Sequence, residues 1–226
     1  MDYEHSIIME QLTLKFPFSK KFFDQDFFVS KNNYSAFKLI ESWPNWPGKW
    51  LNIFGESGSG KTHLAKILER KIKLTKLIDA ENVNDNTIDE LSEIDCLIID
   101  RFNNNIDENI FYSILNQSKQ LEKYLLINSL TSIKTTDFSL NDLKSRISSF
   151  IFIGIELPTD DLLKVIITKT LSDKQITISP KLTNFIINNI ERSYEKMFKF
   201  LKDVDELSLS TGKSININLI KTILNQ

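Results

Sequence analysis

Residues 55–62 read Gly-Glu-Ser-Gly-Ser-Gly-Lys-Thr, the pattern G-x-x-x-x-G-K-[ST]. Few eight-residue stretches constrain a fold as tightly. The glycines let a loop wrap closely enough for backbone N–H groups to point at phosphate oxygens, and the helix that follows adds its positive end. Lys61 then neutralises the β/γ-phosphates, and the Thr62 hydroxyl is placed to hold Mg²⁺. Such a loop works only between a buried strand and a helix. The apolar run Trp50–Phe54 lies before it and helical spacing over His63–Ile72 follows. A chance Gly-rich turn matches this pattern in on the order of 1% of chains of this size, given an average glycine content near 7%.

The rest of the chain supplies the partners such a loop needs. Short apolar runs recur at Leu74–Ile78, Cys96–Ile99, Tyr124–Ile127 and Phe150–Ile155, with helical periods at Asp107–Leu121 and Ser139–Ser145 between them. Buried strands alternating with helices predict an α/β core, a parallel sheet covered on both faces. After Pro158 the strands stop. Asp160–Leu171, Pro180–Ile190, Tyr194–Leu209 and Asn216–Leu224 carry apolar residues at i, i+3, i+4 spacing. The expected division is a tail over 1–19, an α/β nucleotide-binding core over 20–156 and a small all-α domain over 157–226.

Composition narrows the function. With 28 basic and 30 acidic residues the formal charge is −2, unsuited to a nucleic-acid coat or a polybasic membrane binder. The longest apolar stretches fall far short of the roughly 20 residues that cross a bilayer. Residues 1–8 carry Asp2 and Glu4 and lack the basic start of a secretion signal, and Cys96 is the single cysteine. A cytoplasmic protein with no membrane partner is expected. His5 and His63 have no neighbours at zinc spacing.

Leu97-Ile98-Ile99-Asp100 has the form of a Walker B strand, whose terminal Asp reaches Mg²⁺. Arg101 follows where an acid orienting a water is usual, and a cation does not polarise water for attack. Asn128 ends the run Leu125–Ile127, either sensing a γ-phosphate or simply capping a strand. Leu143-Lys144-Ser145-Arg146 closes a helical stretch, where basic residues also suit the helix dipole.

Several stretches together resemble the bacterial DnaA-related AAA+ proteins, and most of all the Hda group that regulates the initiator DnaA. They are Gly60-Lys-Thr-His-Leu64, the segment from Asp26-Phe-Phe-Val-Ser to Asn33, Trp43-Pro-x-Trp-Pro and Leu143-Lys-Ser-Arg146. The resemblance runs from Gln11 to Leu224. It implies an AAA+ core with strand order 5-1-4-3-2 and a helical lid. ATP or ADP with Mg²⁺ would be held by Gly55, Gly58, Ser59, Gly60, Lys61, Thr62, His63 and Asp100, the metal by Thr62 and Asp100. Phe27, Phe28 and Val29 would flank the adenine, Asn128 would be sensor 1, and Arg146 an arginine finger. The family's lid arginine falls on Glu195, with Arg192 one turn earlier and Lys196 adjacent.

Gln11-Leu12-Thr13-Leu14-Lys15-Phe16 is similar to the peptide by which replication proteins dock on the sliding clamp, with Gln11, Leu12, Leu14 and Phe16 as its anchors. The same alternation would also serve a strand packed on its own domain. The resemblance implies a clamp-associated regulator that promotes hydrolysis of DnaA-bound ATP and meets DNA only through the clamp. A self-sufficient ATPase such as a helicase loader, and a nucleotide-stabilised scaffold, are the alternatives. Residues 156–226, with 10 basic and 9 acidic residues, do not suit a DNA-reading module. Self-association, a homodimer included, is left open by the sequence.

Overall fold

A computed structural model describes residues 27–211 and 215–224. Gln11, Leu12, Leu14 and Phe16, with the rest of the tail, lie outside the described residues. Five strands form one all-parallel sheet: β1 Trp50–Phe54, β2 Thr75–Asp79, β3 Cys96–Phe102, β4 Tyr124–Ser129 and β5 Ile151–Gly154. Their order is β2-β3-β4-β1-β5, the expected 5-1-4-3-2 read from the other edge.

Period-two alternation sends neighbouring strand residues to opposite faces. Leu51, Ile53, Cys96 and Ile98 pack with Ile40 of α1 (Tyr34–Ser42) and with Leu64 and Leu68 of α2 (Lys61–Lys71). Leu97, Ile99, Leu125 and Ile127 face Leu91, which follows the short α3 (Asp85–Asp89), Phe111 and Leu115 of α4 (Glu108–Gln120), and Leu143 and Ile147 of α5 (Asn141–Ile147). Both faces are buried, which is why the strands read as continuous apolar runs. Helices α1 and α3 are additions to the sequence reading. The first lies between Asn33 and Trp43, where no helical period was expected. The second spans five residues, too few for a periodic signal, and is fixed by an Asn84–Thr87 capping box.

Helices α6 (Asp160–Asp173), α7 (Pro180–Asn189), α8 (Tyr194–Thr211) and α9 (Ile217–Leu224) enclose a separate core that includes Leu163, Ile186, Met197, Leu201 and Ile220. Their starts follow local chemistry. The Thr159 and Ser179 hydroxyls accept the Leu162 and Leu182 N–H groups, and Pro180 occupies the first turn of α7. Among the described residues no helix is long and apolar enough to cross a membrane.

Candidate functional site

The loop 55–60 leaves the C-terminal end of β1 and runs into α2, at the sheet edge where ligands of open α/β folds bind. Gly58 and Gly60 sit at φ +82° and +96°, conformations that favour glycine. Space matters as well as torsion. A Cβ on Gly60 would lie 2.8 Å from the Phe27 ring, and one on Gly58 3.1 Å from Phe198 of α8. The loop is therefore gripped from two sides, by the segment before α1 and by the helical domain.

Lys61 Nζ donates to the Gly55 and Glu56 carbonyls at 2.8 and 2.7 Å. Burial lowers its pKa from the ordinary lysine value, opposed by the charges of Asp100 and Glu56. Behind it, three residues distant in sequence meet. The Thr62 hydroxyl donates to Asp100 Oδ2 at 2.7 Å, and Asn128 Nδ2 donates to Asp100 Oδ1 at 2.9 Å and to the Lys61 carbonyl at 3.0 Å. Asp100 is 2% exposed and Asn128 fully buried, and Asn128 Oδ1 has no partner among the described residues. Hydroxyl and carboxylate oxygens of this kind are hard ligands suited to Mg²⁺, and the cradle of backbone amides plus ammonium suits phosphate. The residues present fit a Mg²⁺–nucleotide.

Asn52, which the sequence reading passed over, braces this corner. Buried on β1, it donates through Nδ2 to the Ile127 carbonyl and the Ser129 hydroxyl, both at 2.9 Å, and accepts the Ile133 N–H at 3.1 Å. One side chain thus ties β1 to the end of β4 and to the turn beyond Asn128. An Asn inside an apolar run was its only sequence signal.

Arg101 lies at φ +56°, next to a break in the β3–β4 register. Its guanidinium forks onto Asp79 at the end of β2, with Nε donating to Oδ1 at 2.9 Å and the second nitrogen to Oδ2. Asp79 holds the Arg101 pKa above its ordinary value by that hydrogen bond and by its charge. The side chain is 71% exposed, engaged with the neighbouring strand rather than with the loop.

Arg146, in the last turn of α5, is half-buried, and its Nε donates to Asn116 Oδ1 on α4 at 2.8 Å. Among the described residues no carboxylate pairs with it, so a neutral amide holds the guanidinium and leaves its charge available. Arg192 is paired with Asp160, and Lys196 lies 3.9 Å from Glu191. Neither is bonded to the loop, and Glu195 is exposed. The helical domain instead reaches the loop through α8. The Tyr194 N–H donates to Glu56 Oε2 at 3.2 Å, and Phe198 lies over Gly58. Burial, then the Glu56 charge, pushes the Tyr194 phenol up to about 12.

Of the three residues expected to flank a base, Phe27 packs inward, its ring centroid 5.3 Å from His63 and 5.8 Å from Phe37. Phe28 is 45% exposed and lines a cleft of about 570 Å³ with Ser30 and Lys31, opposite Thr159, Leu162 and Arg192. Val29, the next residue, is half-buried.

Residues 160–224 match the model of the Hda lid domain. The chain is 26% identical over 247 residues to the chromosomal replication initiator protein DnaA of Buchnera aphidicola subsp. Cinara cedri, covering 96% of this chain and 55% of that protein. It spans about half the length of the DnaA relatives it matches. Among solved structures, domain III of Thermotoga maritima DnaA superposes with a TM-score of 0.72 at 17% identity, over 93% of this chain and 98% of that one. AMPPCP-bound DnaA from Aquifex aeolicus gives 0.68 at 19% identity, over 86% and 68%.

Proposed function

We propose that this chain, a DnaA-related AAA+ protein with an Hda-type lid, is a replication regulator that binds adenine nucleotide and promotes hydrolysis of ATP held by DnaA. One observation carries the reading: the residue after the Walker B acid is Arg101, and its fork is spent on Asp79. The site has the parts that hold a Mg²⁺–nucleotide, namely the loop, Lys61, Thr62, Asp100 and Asn128. It has no acid at position 101 to orient an attacking water. Binding without rapid turnover is the consequence, and the nucleotide serves as a structural ligand or signal. That solved DnaA structures carry AMPPCP supports an adenine nucleotide here.

Arg146 supplies the outward chemistry. Its side chain is held at the core surface by a neutral partner. A guanidinium so placed can form paired hydrogen bonds to a phosphate of a neighbouring subunit and stabilise charge developing in the transition state. The neighbour in this reading is DnaA. The tail anchors Gln11, Leu12, Leu14 and Phe16 would hold the protein on the sliding clamp, giving contact with DNA only through that ring. Nucleotide-binding core 20–156 and lid 157–226 are the working units, in the cytoplasm.

The test is hydrolysis of ATP on DnaA with clamp, DNA and this protein added one at a time. Stimulation should require this protein and should vanish with Arg146→Ala while clamp and nucleotide binding persist. Arg146→Lys should recover little, because lysine offers a point charge without the fork. Wild-type stimulation by Arg146→Ala would reduce Arg146 to a solvated helix end.

A further inference from the structure

Residue 56 is a non-glycine, non-binding position of the phosphate loop pattern, yet two otherwise unrelated contacts converge on it. Its carbonyl accepts the Lys61 ammonium at 2.7 Å, and its carboxylate accepts the first N–H of α8, from Tyr194, at 3.2 Å. Around that bond the lid seats itself on the loop. Tyr194 and Phe198 cover Gly58, and the Tyr194 hydroxyl donates to the Glu156 carbonyl at 3.4 Å, in the connection between β5 and α6. The Glu56 charge is felt on both sides, by the Tyr194 phenol and by Lys61.

Phosphates in such a loop seek the lysine ammonium and the N-terminus of the helix that follows it, α2. Here the Glu56 carbonyl holds the Lys61 ammonium, while the Glu56 carboxylate holds a different helix N-terminus, that of α8. Phosphates entering the loop must draw Lys61 away from the Glu56 carbonyl, and they bring negative charge beside the Glu56 carboxylate. Like charges brought into one loop oppose each other.

We propose that Glu56 is a built-in competitor of the nucleotide: its carboxylate latches α8 onto the phosphate loop, and phosphate binding works against that latch. The inference rests on the nucleotide-binding reading above. It is opposite in sign to the lid arginine that the resemblance places at position 195, since here a carboxylate from the loop holds the lid. Glu56→Gln keeps the length and an acceptor but removes the charge. Glu56→Ala removes both.

The experiment combines two readouts on the full chain. Calorimetry with MgADP compares wild type, Glu56→Gln, Glu56→Ala and Lys61→Ala. Amide hydrogen exchange without added nucleotide follows the first turn of α8. Both Glu56 variants should bind MgADP about tenfold more tightly than wild type, a coupling of ordinary size, while Lys61→Ala binds more weakly. Glu56→Ala should speed exchange at the Tyr194 amide by at least about tenfold, with the amides of α6 and α7 unchanged. Equal or weaker binding by the two Glu56 variants, or an unchanged Tyr194 amide, overturns the proposal and leaves the nucleotide reading standing. Failure of all four proteins to bind MgADP overturns that reading, and the competition with it. Binding by the Glu56 variants alone supports both.

Discussion

Asn52→Ala tests how the corner of the site is held. The substitution removes three hydrogen bonds in one step: two donated by Nδ2 to the Ile127 carbonyl and Ser129 hydroxyl, and one accepted from the Ile133 N–H. A net bond is worth about 0.5–1.5 kcal/mol, so three come to about 3 kcal/mol. The losses are unequal. Ser129 keeps a partner, since its hydroxyl donates to the Thr131 carbonyl at 2.6 Å. The Ile133 amide, in a residue only 1% exposed, loses its acceptor and bears most of the cost. For a chain of this size 1 kcal/mol moves Tm by about 2–4 °C, which predicts a fall of about 6–12 °C. Differential scanning calorimetry measures it, with Asn188→Ala on the exposed face of α7 as a control that should shift Tm by less than about 1 °C. A fall below about 2 °C for Asn52→Ala would refute the reasoning, because it would mean that the brace between β1, β4 and the turn at Ile133 contributes nothing net.

Lys61→Ala should cost roughly 1.5–3 kcal/mol of ADP affinity, the value of a hydrogen bond to a charged group, and unchanged affinity by calorimetry would contradict the assignment of the loop. Intrinsic ATP turnover should stay well below about 1 s⁻¹, the low end for ordinary enzymes. Arg101→Asp should not repair it cleanly, because the new carboxylate would lie beside Asp79; a large rise in steady-state turnover would show that the position faces the site after all. Replacing Leu14 and Phe16 with Ala removes two apolar anchors worth about 1.5–3 kcal/mol each when fully buried. Clamp binding in a surface-capture assay should weaken by at least about tenfold with ADP affinity unchanged, and normal capture would make the segment internal structure.

Much of the core was legible because its signals are local. The loop pattern needs eight consecutive residues, and a strand buried on both faces announces itself as an apolar run, as at Cys96–Ile99 and Tyr124–Ile127. The five runs became the five strands, and the helical periods after Pro158 became α6–α9. Where the signal was short or the composition unusual, the reading failed. Helix α3 is a single capped turn, and α1 lies between the phenylalanines and tryptophans that dominate its neighbourhood.

What the sequence determined by itself was the identity of the groups proposed to hold phosphate and metal, because that chemistry is written in residue type and near spacing. What only the tertiary structure decided is which groups meet. Asp100 joins Thr62 across 38 positions and Asn128 across 28, since parallel pairing brings the C-terminal ends of β1, β3 and β4 together. Arg101 is committed to Asp79 because β2 pairs with β3 in a register that sets Asp79 opposite Asp100. Glu56 meets Tyr194 across 138 positions through the packing of one domain on a loop of another. Periodicity along a chain carries no information about such partners. They are set by register, crossover and packing, which exist only once the chain has folded.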